Sequence, residues 1–261
     1  MPLSLPFRAQ GAARLRLEDP SGFSLTELLV VIAATATLAI LAVPNLASLQ
    51  ISGSTNLAAD EITQAMQVAR AYAISHDTYT WLGFYEEDAT MPSANPAQQG
   101  VGRVILSIVA SNDGTALYSA SSTPPISIPP TSLVQVSPLI RVQNIHLESF
   151  SNGTGTGITF DTRPALSSPN AQIGGSAVPN NAYPSFQYPV GQASSAQYVF
   201  NQVLQFSPRG ETLASGMAGA MTPLIEVGLQ PTHGNVLYAT SPNLVALQIS
   251  GISGSIISYR R

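Results

Sequence analysis

The stretch that decides how this chain is read is Gly22-Phe23-Ser24-Leu25-Thr26-Glu27-Leu28-Leu29-Val30-Val31-Ile32, which continues through aliphatic residues to Val43-Pro44. From Leu28 to Val43 the only non-aliphatic residues are Thr35 and Thr37. In a helix, Phe23 to Val43 matches a bilayer core, which takes about 20 residues to cross. Arg8, Arg14 and Arg16 precede the run and no basic residue follows it until Arg70, a bias that predicts a cytoplasmic start and an exported remainder. Ala42-Val43-Pro44-Asn45-Leu46 is a poor site for an ordinary signal peptidase. A plain anchor leaves Glu27 unexplained, because a carboxylate at the start of a spanning helix is costly and by default marks function.

The same stretch resembles the cleavage and methylation signal of type IV pilins and type II secretion pseudopilins. The resemblance implies that a prepilin peptidase cuts after Gly22, methylates the new amino terminus at Phe23 and leaves Glu27 as the fifth mature residue. Such a cut exposes an α-amino group of pKa about 7.7–8.0, a natural partner for the Glu27 carboxylate. In a filament that amine belongs to an adjacent subunit, and breaking a buried pair of this kind typically costs about 3–5 kcal/mol. Pro44 is similar to the proline at which pilin helices kink. It can equally mark the membrane exit, since an interior proline removes a hydrogen bond and bends the axis.

Working outward, Leu57, Ile62, Ala65, Met66, Ala69 and Tyr72 recur at three- and four-residue spacing between Asn56 and Ser75, with Asp60, Glu61, Gln64, Gln67 and Arg70 on the other face. This predicts an amphipathic helix that continues the apolar one, unless Ser52-Gly53-Ser54 breaks it. After His76 the pattern turns to β, with strands expected over 78–85, 103–109, 145–150, 157–160, 198–206, 224–229, 236–239, 244–249 and 255–259, and a tight turn at Asn112-Asp113-Gly114. Long loops rich in Pro, Ser, Gly and Asn separate them at 91–102, 119–131 and 161–196. The expected fold class is α+β and pilin-like: a long N-terminal helix, half membrane-spanning and half amphipathic, packed on an antiparallel β-sheet head. The expected organisation is a cleaved leader 1–22, a transmembrane and assembly helix 23–50, an amphipathic half 51–76 and a β-rich head 77–261. Phe206-Ser207-Pro208-Arg209-Gly210 and the run from Ile249 to Ile256 look like the late hairpins of H-type minor pseudopilins, and Tyr259-Arg260-Arg261 is similar to the tail of pilin-like cassette-D proteins.

Composition narrows the function. With 44% hydrophobic residues and a net charge of only −4 in 261 residues, disorder is disfavoured. All basic residues are scattered arginines, so no nucleic-acid partner is expected. Cysteine is absent, which removes disulfides and thiolate chemistry. His76, His146 and His233 are isolated, and Glu86-Glu87-Asp88 reads as a solvated acidic loop end more readily than as a weak calcium site. No cofactor, metal or catalytic constellation is expected, and the chain is not read as an enzyme. The expected role is a structural minor pilin or pseudopilin that is assembled into, primes or tips a type IV pilus or type II secretion filament. Its expected partners are prepilin peptidase, other pilin subunits and the inner membrane, with the head on the extracytoplasmic side or on a cell-surface filament. The alternative is a membrane-tethered exported binding module, an adhesin or glycan binder, that joins no filament.

Overall fold

Helix α1 runs from Leu25 to Ser75 in the computed structural model, which describes residues 24–116, 128–168, 171–175, 185–191, 195–214, 222–238 and 243–261, with side chains described outside 40–52. The helix assignment is continuous through Pro44 and through Ser52-Gly53-Ser54. The chain divides into two compact units, Met1–Leu46 and Ala47–Arg261. In the first unit the described side chains from Leu25 to Ala39 are all exposed.

Among the described residues no helix is long and apolar enough to cross a membrane. This corrects the expected fold class in its defining element, the membrane-spanning half-helix. The expected transmembrane assignment and the single-pass inner-membrane placement are corrected on the same ground.

The second unit is dominated by antiparallel sheet. Its strands are β1 (Thr80–Asp88), β2 (Gly102–Ser111), β3 (Leu133–Gln135), β4 (Ile140–Glu148), β5 (Gln172–Ile173), β6 (Phe186–Tyr188), β7 (Tyr198–Phe200), β8 (Gln202–Phe206), β9 (Thr212–Ala214), β10 (Leu224–His233), β11 (Val236–Leu237), β12 (Val245–Ser250) and β13 (Ile256–Arg260). The main sheet has the order β13-β12-β10-β4-β2-β1-β8-β9, with β5 and β11 added to β10 and β3 to β2; β6 and β7 form a separate pair. Among the described residues only the β5–β10 pairing is parallel.

Side chains alternate across a strand, and both faces of this sheet are covered. One face carries Leu82, Phe84, Leu106, Ile108, Val227, Leu229, Leu247 and Ile249, which share a core with Ala58, Ala59, Ile62, Ala65, Met66, Ala69 and Ala73 of α1. The alanines keep that helical face flat and let the backbones approach. The buried stripe differs from the one expected: Leu57 is 62% exposed and Tyr72 only half-buried, because the face against the sheet is centred on the alanines. The helix ends in a Schellman arrangement, with Asp77 at φ 50° and the Thr78 amide donating to the Ala73 carbonyl at 3.0 Å. Thr80 Oγ1 then donates to the Ala69 carbonyl at 2.9 Å, fixing β1 to the helix it has just left.

The other face carries Trp81, Tyr85, Ile105, Val109 and Val203, packed against Phe186, Tyr198 and Phe200 of the β6–β7 pair. Trp81 is fully buried and donates its indole N–H to Gln205 Oε1 at 3.1 Å. Gly83 makes room for this layer, since a Cβ there lies 2.6 Å from Phe200 Cβ and 2.7 Å from Phe186 Cζ. Gly83→Ala should therefore destabilise the chain by about 1–3 kcal/mol, as overpacking does. The check is a urea midpoint, and an unchanged midpoint contradicts the close approach.

Some expectations shift with the register. Residues 157–160 form a turn in place of a strand, because Thr159 and Thr162 bond to each other, with the Thr162 amide donating to Thr159 O at 3.2 Å. Asn112-Asp113-Gly114 bends the chain, with Asp113 accepting from the Thr115 amide at 3.0 Å, and the next strand among the described residues is β3, from Leu133. The two late glycine hairpins, far apart in the strand order, meet in space. The Thr212 amide donates to the Gly251 carbonyl at 2.8 Å, and Arg70 Nε donates to the Gly210 carbonyl at 3.4 Å. Gly210 and Gly254 both have positive φ, 82° and 64°, and a Cβ on Gly254 stands 2.5 Å from the Gly210 carbonyl oxygen. At this end the β8–β9 and β12–β13 turns meet beside Arg70 of α1.

Candidate functional site

Of the residues the sequence singles out, Gly22 and Phe23 lie outside the described residues, and so do the Pro44 side chain and the kink expected there. Glu27 is described. Its amide donates to Ser24 Oγ at 3.2 Å, while Glu27 Oε2 accepts from the Ser24 amide at 3.4 Å. This is a capping box, Ser-x-x-Glu, in which two orphan amides of the first turn are satisfied reciprocally. The signal was present in Ser24-Leu25-Thr26-Glu27, and it gives Glu27 a local structural role in addition to the one the family resemblance implies.

The second unit gathers several of its ionisable groups at one corner of the sheet. Glu86-Glu87-Asp88 is the end of strand β1, which corrects the solvated loop expected there. Strand alternation separates the two glutamates. Glu87, 3% exposed, accepts from Arg103 Nη1 at 2.8 Å and Ser93 Oγ at 2.6 Å through Oε1, and from the Tyr198 hydroxyl at 3.4 Å through Oε2. Arg103 is itself held by the Ala89 and Met91 carbonyls. Burial, then the charge of Glu87, pushes the nearby Tyr85 phenol above its ordinary value. Asp88 is held below the usual carboxylate range by the Thr90 hydroxyl and amide.

Glu86 faces His146 of β4. His146 Nδ1 lies 2.9 Å from both Glu86 oxygens, and Nε2 lies 3.4 Å from Glu148 Oε2. Glu86 also accepts the Gly102 amide at 3.1 Å and the Leu147 amide at 3.3 Å, so one carboxylate ties β1, β2 and β4 together. This is where the β2–β4 register shifts, with Gly102 at φ 103° and Asn144 at φ 58°. The cluster borders a cavity of about 230 Å³ lined also by Phe84, Gln99, Asn201 and Gln202.

A third constellation is wholly buried. Arg163 and Glu226 are 2% and 1% exposed and form a two-pronged pair, Nε to Oε2 at 2.7 Å and Nη2 to Oε1 at 2.9 Å. Arg163 also donates to the Phe160 and Ser151 carbonyls, and Gln248 Nε2 to Glu226 Oε2 at 2.9 Å. Its guanidinium lies 4.6 Å from the Phe160 ring centroid. Glu226 lies 63 residues from Arg163 and 22 from Gln248 along the chain, so no spacing could announce the pair.

Each charged group of these clusters is occupied by its neighbours. Among the described residues no three His, Cys, Asp or Glu side chains are placed to hold a metal ion. No family model, no curated protein and no solved structure matches the chain.

Proposed function

We propose that the chain is a structural subunit of the pilin and pseudopilin kind, cut after Gly22 by a prepilin peptidase, methylated at Phe23 and assembled into a filament, or at its tip, through the first turns of α1. The observation that carries this reading is the exposure of Leu25, Leu28, Leu29, Val30, Val31, Ile32 and Leu38, each more than half accessible, on a helix whose first turn holds a single carboxylate, Glu27. A helix that is apolar all round is a buried helix, so this one needs a cover. Equivalent helices of neighbouring subunits supply it, and an adjacent Phe23 amine supplies the cation for Glu27. The self-satisfied ionic clusters of the second unit favour a structural role over a catalytic one.

The test is processing. Coexpressed with a prepilin peptidase, the chain should yield a mature form that begins with N-methylphenylalanine at position 23, read by intact mass and amino-terminal sequencing. A start near Asn45, or no cleavage, removes the reading.

A further inference from the structure

We propose that Glu86, His146 and Glu148 form a proton-operated latch: the doubly protonated imidazole holds β1 against β4 at the bulged corner of the sheet, and loss of one ring proton releases that corner. A neutral imidazole has one N–H and one lone pair, whereas the imidazolium donates from both nitrogens. Here both nitrogens face carboxylates, Nδ1 with two Glu86 oxygens at 2.9 Å and Nε2 with Glu148 at 3.4 Å. Either tautomer of the neutral ring therefore sets a lone pair against a carboxylate. The site is too sheltered for water to screen this fully, with the His146 and Glu86 side chains each 13% exposed.

Release has a route to the backbone. Glu86 is the shared acceptor of the Gly102 and Leu147 amides, on either side of the register shift between β2 and β4. With the lone pair toward Glu86, the repelled carboxylate leaves those two amides without their acceptor; with the lone pair toward Glu148, that glutamate loses its donor and is repelled at the same corner. The surrounding elements offer no substitute cation. Arg103 of β2 is bound to Glu87, Glu226 of β10 is bound to Arg163, and Gln230, opposite His146 on β10, is neutral. The facing segments contribute Gln99, Gly100, Val101, Gly175, Val199, Asn201 and Gln202, all uncharged. Glu86 and Glu148 are thus the charges that face the ring.

Burial works to lower the His146 pKa, but the hydrogen bond and charge of Glu86, followed by the charge of Glu148, outweigh it and leave the pKa raised. A raised histidine pKa stabilises the fold fully below the unfolded value of about 6.5 and loses that stabilisation as pH rises through the folded value. The latch is closed in acid and opens toward alkali.

The experiment is hydrogen exchange by mass spectrometry on the whole chain, comparing the peptides around Gly102 and Leu147 between pH 5.5 and 9 after correction for intrinsic exchange. The expected result is a several-fold loss of protection in the wild type as pH rises, with no such step in His146→Gln and a step at lower pH in Glu148→Gln. Unchanged protection in the wild type, or the same step in His146→Gln, overturns the latch. If His146→Gln does not fold, the partly exposed Glu148 decides: an unshifted step in Glu148→Gln overturns it equally.

Discussion

Arg163→Ala should be the most damaging single substitution in the second unit, at about 3–5 kcal/mol, the cost of breaking a buried ion pair from one side. The argument rests on what remains. Glu226, 1% exposed, keeps only the Gln248 amide as a donor to Oε2, so a carboxylate stays desolvated beside neutral groups. The Phe160 and Ser151 carbonyls lose their donors as well, which loosens the segment leading into β5. Replacing both ends tests the mechanism, because Arg163→Met with Glu226→Leu leaves no charge inside and should be less destabilised than Arg163→Ala alone. Guanidinium denaturation of the three proteins is the measurement. If the double variant is the least stable, the damage comes from lost packing and not from a stranded charge.

The second large effect concerns assembly. Glu27 has two roles to separate, the capping box with Ser24 and the proposed pairing with a neighbouring Phe23 amine. Glutamine can serve at the third position of a capping box as glutamate does, but it carries no charge. Glu27→Gln should therefore leave the helix start intact and still abolish or sharply reduce incorporation into filaments, since a buried amine loses its anion. Glu27→Val should lose both the cap and the charge. Cleavage after Gly22 should persist in each, because the residues at the scissile bond are unchanged. The readout is recovery with sheared filaments after processing is confirmed by mass. Normal incorporation of processed Glu27→Gln would leave Glu27 only its cap. Partial loss fits a tip or priming position, where a subunit has a neighbour on one side alone.

Periodicity made the second unit legible. Strong alternation in Thr80-Trp81-Leu82-Gly83-Phe84-Tyr85 and the aliphatic run Arg103–Val109 placed β1 and β2 within a few residues. The helix was legible too, and its buried face in part, through Ile62, Ala65, Met66 and Ala69. Alanine gives a weak hydrophobic signal, so Ala58, Ala59 and Ala73 were outvoted by Leu57 and Tyr72 although they lie against the sheet. Short strands such as Gln172–Ile173 and Phe186–Tyr188 sit in stretches whose polar, proline-rich composition reads as loop, and tertiary pairing alone defines them. The ionic clusters were invisible for a related reason. Glu86 meets His146 and Arg163 meets Glu226 only through strand order, and strand order is not written in local spacing.

The meeting of the two glycine hairpins around α1 also sets a schedule. Ala58 to Ala73 leave the ribosome early, yet the surface they bury includes Leu204 and Phe206 and, last of all, Val245, Leu247 and Ile249. Contacts so distant along the chain close slowly, since each pays the entropy of a long loop before it is rewarded. The alanine face of the helix therefore meets β1 and β2 early but stays incompletely covered until the last strands are made. A chain halted before β12 would hold an amphipathic helix and half a core together, the kind of species that aggregates or engages chaperones. For this protein the final strands act as a completion check: until they arrive, the core shared by α1 and the sheet stays open.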